Sequence, residues 1–232
     1  IMKTFAQFTT GIPETSKQAT HDRSYVEGKV WSSFNAVNCQ HHVLNVPVNY
    51  CSKAVLTAPY NKKDFARLRV LARLLSAKYL HPELREKQGA YGGGARLTSD
   101  GVLVFYSYRD PRSLQTLDVF DNTFAWLKEN VDKTSSQELL ESKLGVFQAV
   151  DAPIPPCAKG CDEFLRRLTP DILQRHRAEI MSVDKNALKD VTEKYLGNND
   201  PALSGKVVLG PKNEKFDTTS RPSEMWTTME NE

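Results

Sequence analysis

The stretch Leu80–Leu97, LHPELREKQGAYGGGARL, holds residue types that folding alone does not demand. Arg85 brings a planar fork of N–H donors and Tyr91 a neutral phenolic donor; both suit polarising a carbonyl or steadying an oxyanion. Gly92, Gly93 and Gly94 follow directly. Three consecutive glycines in a strand cost backbone entropy and pack nothing, which points to close approach of another backbone. A phosphate-cradling loop fits poorly, because such loops run from a strand into a helix N-terminus, whereas these glycines run into a strand. An extended peptide laid along the glycine strand fits better, with main-chain hydrogen bonds giving affinity at little sequence demand. A plainer account pairs Arg85 with a nearby carboxylate and lets Tyr91 fill an apolar edge. Spacing alone does not separate the two.

The elements that must position these residues are legible around them. Phe65, Leu68, Leu71, Leu74/Leu75 and Tyr79 recur at helical spacing, so a long helix with one buried face leads into the stretch. Pro82 predicts a break followed by about one further turn, which Gly89 stops. Tyr91–Leu97 and Gly101–Tyr108 read as two strands joined at Thr98-Ser-Asp-Gly101. Upstream, Cys39–Ala58 predicts two strands, with Pro47 favouring an edge or a bulge in the first.

Downstream come helices. Ser113 is a fair N-cap for Leu114–Lys128, and Ser135-Ser-Gln-Glu138 resembles a capping box opening a helix to Val150. Further helices are expected over Cys157–Leu168, Thr169–Met181 and Asp184–Leu196, before a short strand at Lys206–Leu209 returns to the sheet. Strands first, helices between and after, and a late strand predict an α+β roll: a largely antiparallel sheet with helices packed on one face. Residues 1–38 read as a linker or the end of a preceding domain, 39–210 as the α/β roll domain, and 211–232 as a polar C-terminal tail.

Composition narrows the function classes. A net charge of +3, with basic and acidic residues interleaved, does not argue for nucleic acid, and no apolar run approaches the roughly 20 residues that span a bilayer. Four cysteines in 232 residues are too sparse for a disulfide scaffold. Cys157 and Cys161 would share a helical face, which leaves a metal clip with Cys39 and Cys51 open, although structural zinc sites usually show tighter pairs. His41 and His42 are adjacent on a strand, point to opposite faces and make poor joint ligands.

The run LHPELREKQGAYGGGARL, followed by FYSYRDPRSLQTL and AVDAPIPP, resembles the C-terminal portion of the pitrilysin and insulinase superfamily of inverzincin metallopeptidases, in its presequence-degrading branch. The likeness spans about Val43 to Gly210. It implies the metallopeptidase-type α/β roll, the last of four homologous domains in two halves that close around a chamber. It also implies that Arg85 and Tyr91 reach across to the substrate near its scissile carbonyl, with Tyr91 helping to stabilise the tetrahedral intermediate; Gly92, Gly93 and Gly94 are the substrate-binding residues expected from the glycine strand itself. Gln88 departs from the glycine expected in close relatives.

The superfamily signature H-x-x-E-H, which supplies two zinc ligands and the general base, does not occur among His21, His41, His42, His81 and His176. The resemblance therefore implies half of a site. Zinc is expected in the full-length enzyme, held by the N-terminal half, with none bound by this chain, and the isolated chain is expected to be inactive. The implied partners are short unstructured peptides, including cleaved mitochondrial presequences and amyloid-type peptides, and the N-terminal half itself; neither nucleic acid nor membrane is expected. The implied location is the mitochondrial matrix. The alternative is a non-catalytic member of the same fold acting in binding or assembly, like the core subunits of a respiratory complex. A third reading has glycines that merely tighten a hairpin.

Overall fold

Helix α1, Asp64–Leu75, sits at the centre of the fold because apolar residues surround most of its circumference. A computed structural model describes residues 39–197, 203–216 and 226–230; the expectation for residues 1–38 lies outside them. Among the described residues are six strands: β1 (Cys39–Val43), β2 (Tyr50–Leu56), β3 (Gly92–Leu97), β4 (Val102–Tyr108), β5 (Ser204–Gly210) and β6 (Trp226–Glu230). The further α-helices are α2 (Leu114–Asp121), α3 (Thr123–Asn130), α4 (Ser136–Val150), α5 (Cys161–Arg166), α6 (Pro170–Ser182) and α7 (Lys185–Leu196).

The strands form one sheet in the order β3-β4-β2-β5-β1-β6. β2 runs antiparallel to β4 and β5, and β3 antiparallel to β4, whereas β1 is parallel to both β5 and β6. This is the largely antiparallel α+β roll expected from sequence. Cys51, Val55, Leu103, Phe105 and Val208 point to the helix-covered face and join the core with α1. α1 buries Ala66, Val70 and Ala72 as well as the expected Phe65, Leu68, Leu71, Leu74 and Leu75, because α4, α6 and α7 also pack against it. The predicted single buried face was therefore too narrow.

The capping box at Ser135 formed as expected, whereas Ser113 stands at the N-cap of α2 without a side-chain capping hydrogen bond. The Ser135 hydroxyl accepts from the Glu138 N–H, while the Glu138 carboxylate accepts from the Ser135 N–H at 2.7 Å. Thr169 and Asp184 cap α6 and α7 through their side-chain oxygens. Three expectations change. The helix after Ser113 divides at Asn122, where the Val119 carbonyl, the acceptor for the Thr123 N–H in a continuous helix, takes the Tyr79 hydroxyl at 3.0 Å. The helix expected over Cys157–Leu168 shrinks to a 3₁₀ turn at Pro156–Ala158 and the short α5, separated by Gly160 in the left-handed region (φ 80°). Residues 226–230, placed in the polar tail by sequence, instead form β6 along β1, and Trp226 packs on the buried Phe216 at 4.6 Å between ring centroids. Pro47 lies in the loop after β1, and β6 keeps β1 from being an edge.

His176 on α6 is buried among Tyr60, Phe65 and Arg69, whose guanidinium lies 3.3 Å from Nε2. Burial first, then the charges of Arg69 and Arg177, lowers its imidazole from 6.5 to about 4. The unfolded chain therefore takes up a proton that the folded chain refuses between those values. His176 thus contributes stability that is complete above pH 6.5 and is lost as the pH falls toward about 4. Denaturant unfolding across this window is expected to show a steeper loss for the native chain than for His176→Gln; equal slopes would exclude this role.

Candidate functional site

The β3–β4 hairpin sets the frame of the site. Gly101 closes its turn at φ 88°, and the Thr98 N–H donates to the Val102 carbonyl at 2.9 Å. That bond and the register Gly92↔Tyr108, Gly94↔Tyr106 direct the main chain of Gly92, Gly94 and Arg96 to β4. Gly93, Ala95 and Leu97 then turn theirs to the outer edge of the sheet.

Two of the three glycines have an explanation inside the fold. A Cβ at Gly93 would stand 2.5 Å from Leu84 Cδ1, and one at Gly94 would stand 3.1 Å from Ser76 Oγ. Ser76 Oγ also accepts from the Ala95 N–H at 2.8 Å and lies 3.1 Å from the Ala95 carbonyl, so it closes the outer edge at that residue. The close approach inferred from the glycines is thus made by side chains of the chain's own helix. Only Gly92 faces open space, with nothing within 4 Å of its missing Cβ.

Leu84 and Ser76 belong to the helical stretch expected from sequence, but it is continuous and wide-turned where a break at Pro82 was expected. α1 runs on through two wide π-helical turns, Ser76–Leu80 and Pro82–Lys87, and His81 between them keeps right-handed helical angles (φ −64°, ψ −48°). Pro82 causes no break: it opens the second wide turn, a position where its lost N–H is tolerated. Gly89 then ends the helix at φ 83°, its N–H donating to the Arg85 carbonyl at 3.1 Å while the Ala90 N–H donates to the Leu84 carbonyl at 2.9 Å. Gln88, half-buried at this end, has Oε1 3.4 Å from the Thr116 hydroxyl.

Arg85 stands on the last wide turn, one residue after the fully buried Leu84, and is exposed. Tyr91 begins the approach to β3, is 67% exposed, and is pinned by its N–H, which donates to the Arg109 carbonyl at 3.3 Å. Arg109 takes a left-handed conformation (φ 50°) to present that carbonyl. Among the described residues neither the guanidinium of Arg85 nor the hydroxyl of Tyr91 has a hydrogen-bond or ion-pair partner. The Tyr91 ring meets Tyr108 edge-on at 6.0 Å, and Tyr108 meets Tyr50 edge-on at 5.4 Å. Sequence reasoning did not single out Tyr50 or Tyr108; the alternation Val102, Val104, Tyr106, Tyr108 along β4 was the signal available.

No ligand set assembles here. Cys39 and Cys51 are buried while Cys157 and Cys161 are exposed. Burial pushes the Cys51 thiol up to about 12, far from the thiolate that a metal needs. His41 is buried and the neighbouring His42 is half-exposed on the other face. Among the described residues no three His, Cys, Asp or Glu side chains are placed to hold a metal ion.

The fold is that of the M16 peptidase domains. A protease from Helicobacter pylori superposes with a TM-score of 0.59 at 18% identity, covering 75% of this chain and 44% of that one. A peptidase M16 inactive domain from Pseudomonas fluorescens gives 0.58 at 17%, covering 76% and 44%. The chain belongs to the family described as the PreP C-terminal domain, whose model matches residues 40–208. It is 48% identical over 180 residues to the mitochondrial presequence protease of Drosophila melanogaster, a match covering 78% of this chain and 17% of that protein. The chain thus spans less than a fifth of the length of this relative.

The packing makes the glycines unequal. Gly93→Val is expected to cost about 1–3 kcal/mol through overpacking against Leu84, and Gly92→Ala to stay within about 0.5 kcal/mol, measured by chemical unfolding. Equal costs at the two positions would contradict the seating of Leu84.

Proposed function

We propose that this chain is the C-terminal substrate-binding domain of a zinc metalloendopeptidase that degrades short unstructured peptides, mitochondrial presequences and amyloid-type peptides among them, in the mitochondrial matrix. The observation that carries the reading is the pair of exposed donors, Arg85 and Tyr91, held on either side of the Gly89 turn without partners among the described residues. Family membership and the name of the Drosophila relative support the class.

In this reading Arg85 donates to the substrate main chain, and Tyr91 donates to the carbonyl oxygen as it becomes tetrahedral and negatively charged. The outward main chain of Gly93 is the strand's hydrogen-bonding site for an extended peptide, Gly92 leaves room beside it, and Gly94 keeps Ser76 seated. In this reading the metal, which would polarise the carbonyl and activate water when bound, is held by the N-terminal half. Residues 1–38 would be the connection to that half.

The test is peptide cleavage with added zinc by this chain alone, by the separately prepared zinc-bearing half, and by the two mixed. The chain alone is expected to be inactive and the mixture active. Tyr91→Phe or Arg85→Ala should lower the rate of the mixture about tenfold or more, a loss of about 1.4 kcal/mol of transition-state stabilisation. An active mixture indifferent to both substitutions would make Arg85 and Tyr91 structural, and an inactive mixture would favour a non-catalytic binding or assembly role.

A further inference from the structure

The sheet face opposite the helices is unusual for an antiparallel sheet, whose uncovered face normally alternates to polar residues. The outward positions of β4 are Val102, Val104, Tyr106 and Tyr108, while Leu103, Phe105 and Ser107 are buried on the helix side. Pairing places Ser52 beside Tyr106 and Ala54 beside Val104 on β2, then Val207 beside Ser52 on β5. Across the six strands Arg96 is the one Lys, Arg, Asp or Glu side chain on this face, and its guanidinium lies 5.8 Å over the Tyr106 ring. Tyr106 is 38% exposed and Tyr108 47%. Apart from Arg96, the valines and tyrosines of β4 form an apolar surface of the kind that marks a binding site.

Continuity identifies its occupant. The edge-on contacts from Tyr91 to Tyr108, and from Tyr108 to Tyr50, lead from the candidate site directly onto the face. A peptide whose scissile carbonyl reached Tyr91 would lay its neighbouring side chains over Tyr108 and Tyr50, where aromatic surface is present to cover an apolar group. We propose that Tyr108, flanked by Tyr50, binds an aromatic or aliphatic side chain of the peptide beside the scissile bond and so sets a preference for such residues there. This inference rests on the function proposed above.

The experiment uses the full-length enzyme and two fluorogenic peptides that differ only in carrying Phe or Ser beside the cleaved bond. Tyr108→Ala is expected to lower the ratio of kcat/KM for the Phe peptide over the Ser peptide by about tenfold, mainly through KM. Tyr108→Phe keeps the ring and should retain the preference; a second variant, Val104→Asp, should reduce it by placing a charge on the face. If Tyr108→Ala slows both peptides alike, the ring only supports Tyr91 and the inference is overturned. It is overturned equally if neither Tyr108→Ala nor Val104→Asp alters the ratio, the result expected were the face covered by another part of the longer polypeptide. Tyr91→Phe in parallel separates the two readings. Slowing of both peptides by Tyr91→Phe with no selective effect at Tyr108 defeats this inference alone, whereas indifference to Tyr91→Phe defeats the site itself.

Discussion

The insertion of Leu84 into the gap left by the missing side chain of Gly93 is the contact on which the site depends. Leu84 is fully buried, and the residues on both sides of it are fixed as a consequence. Arg85 follows it on the same turn, and the chain then reverses at Gly89 to deliver Tyr91 and the glycine strand. Ser76 adds a second fastening by bonding the Ala95 main chain, so the π-helical extension and β3 are held at two points. Arg85 and Tyr91 thus stand on elements whose positions are determined by packing, which leaves their exposed ends available without leaving them loose.

Much of this was readable from local chemistry. The capping box at Ser135, the cap at Thr169, the stop at Gly89 and the turn at Gly101 each involve neighbours in sequence, and each stood where expected. What could not be read depends on distant partners. At the helix break at Asn122 the Val119 carbonyl takes the hydroxyls of the distant Tyr79 and the local Thr123, and the distant partner is the one that sequence does not announce. Pro82 was read as a break by its ordinary behaviour in an α-helix, but a wide turn absorbs it. The glycines predict close approach of another backbone, whereas side chains of the chain's own helix make the approach at two of them. Which body approached was a tertiary matter: Leu84 and Ser76 occupy two of the three gaps.

The two faces of the sheet obey different rules. On the helix side even charge is matched locally: Lys53 and Lys206, directly opposed on β2 and β5, share the Asp121 carboxylate at 2.8 and 2.7 Å. Burial pushes that carboxyl up, but the two ammonium groups outweigh it and hold it below its ordinary range. The other face has almost no charge to match. One face is thus organised to hold the domain together, and the other offers surface without an ionic requirement.

The strand order also divides the domain by the distance the chain must travel to build it. The site end, from α1 through the π-helical turns to the β3–β4 hairpin, is made from consecutive elements. The opposite edge joins β1, near the start of the described chain, to β5 and β6, near its end. Contacts between neighbours in sequence close cheaply, whereas those between remote segments must first overcome the entropy of a long loop. The corner carrying Arg85 and Tyr91 is therefore the part best placed to assemble early, and the β1–β5–β6 edge is the seam that completes the fold.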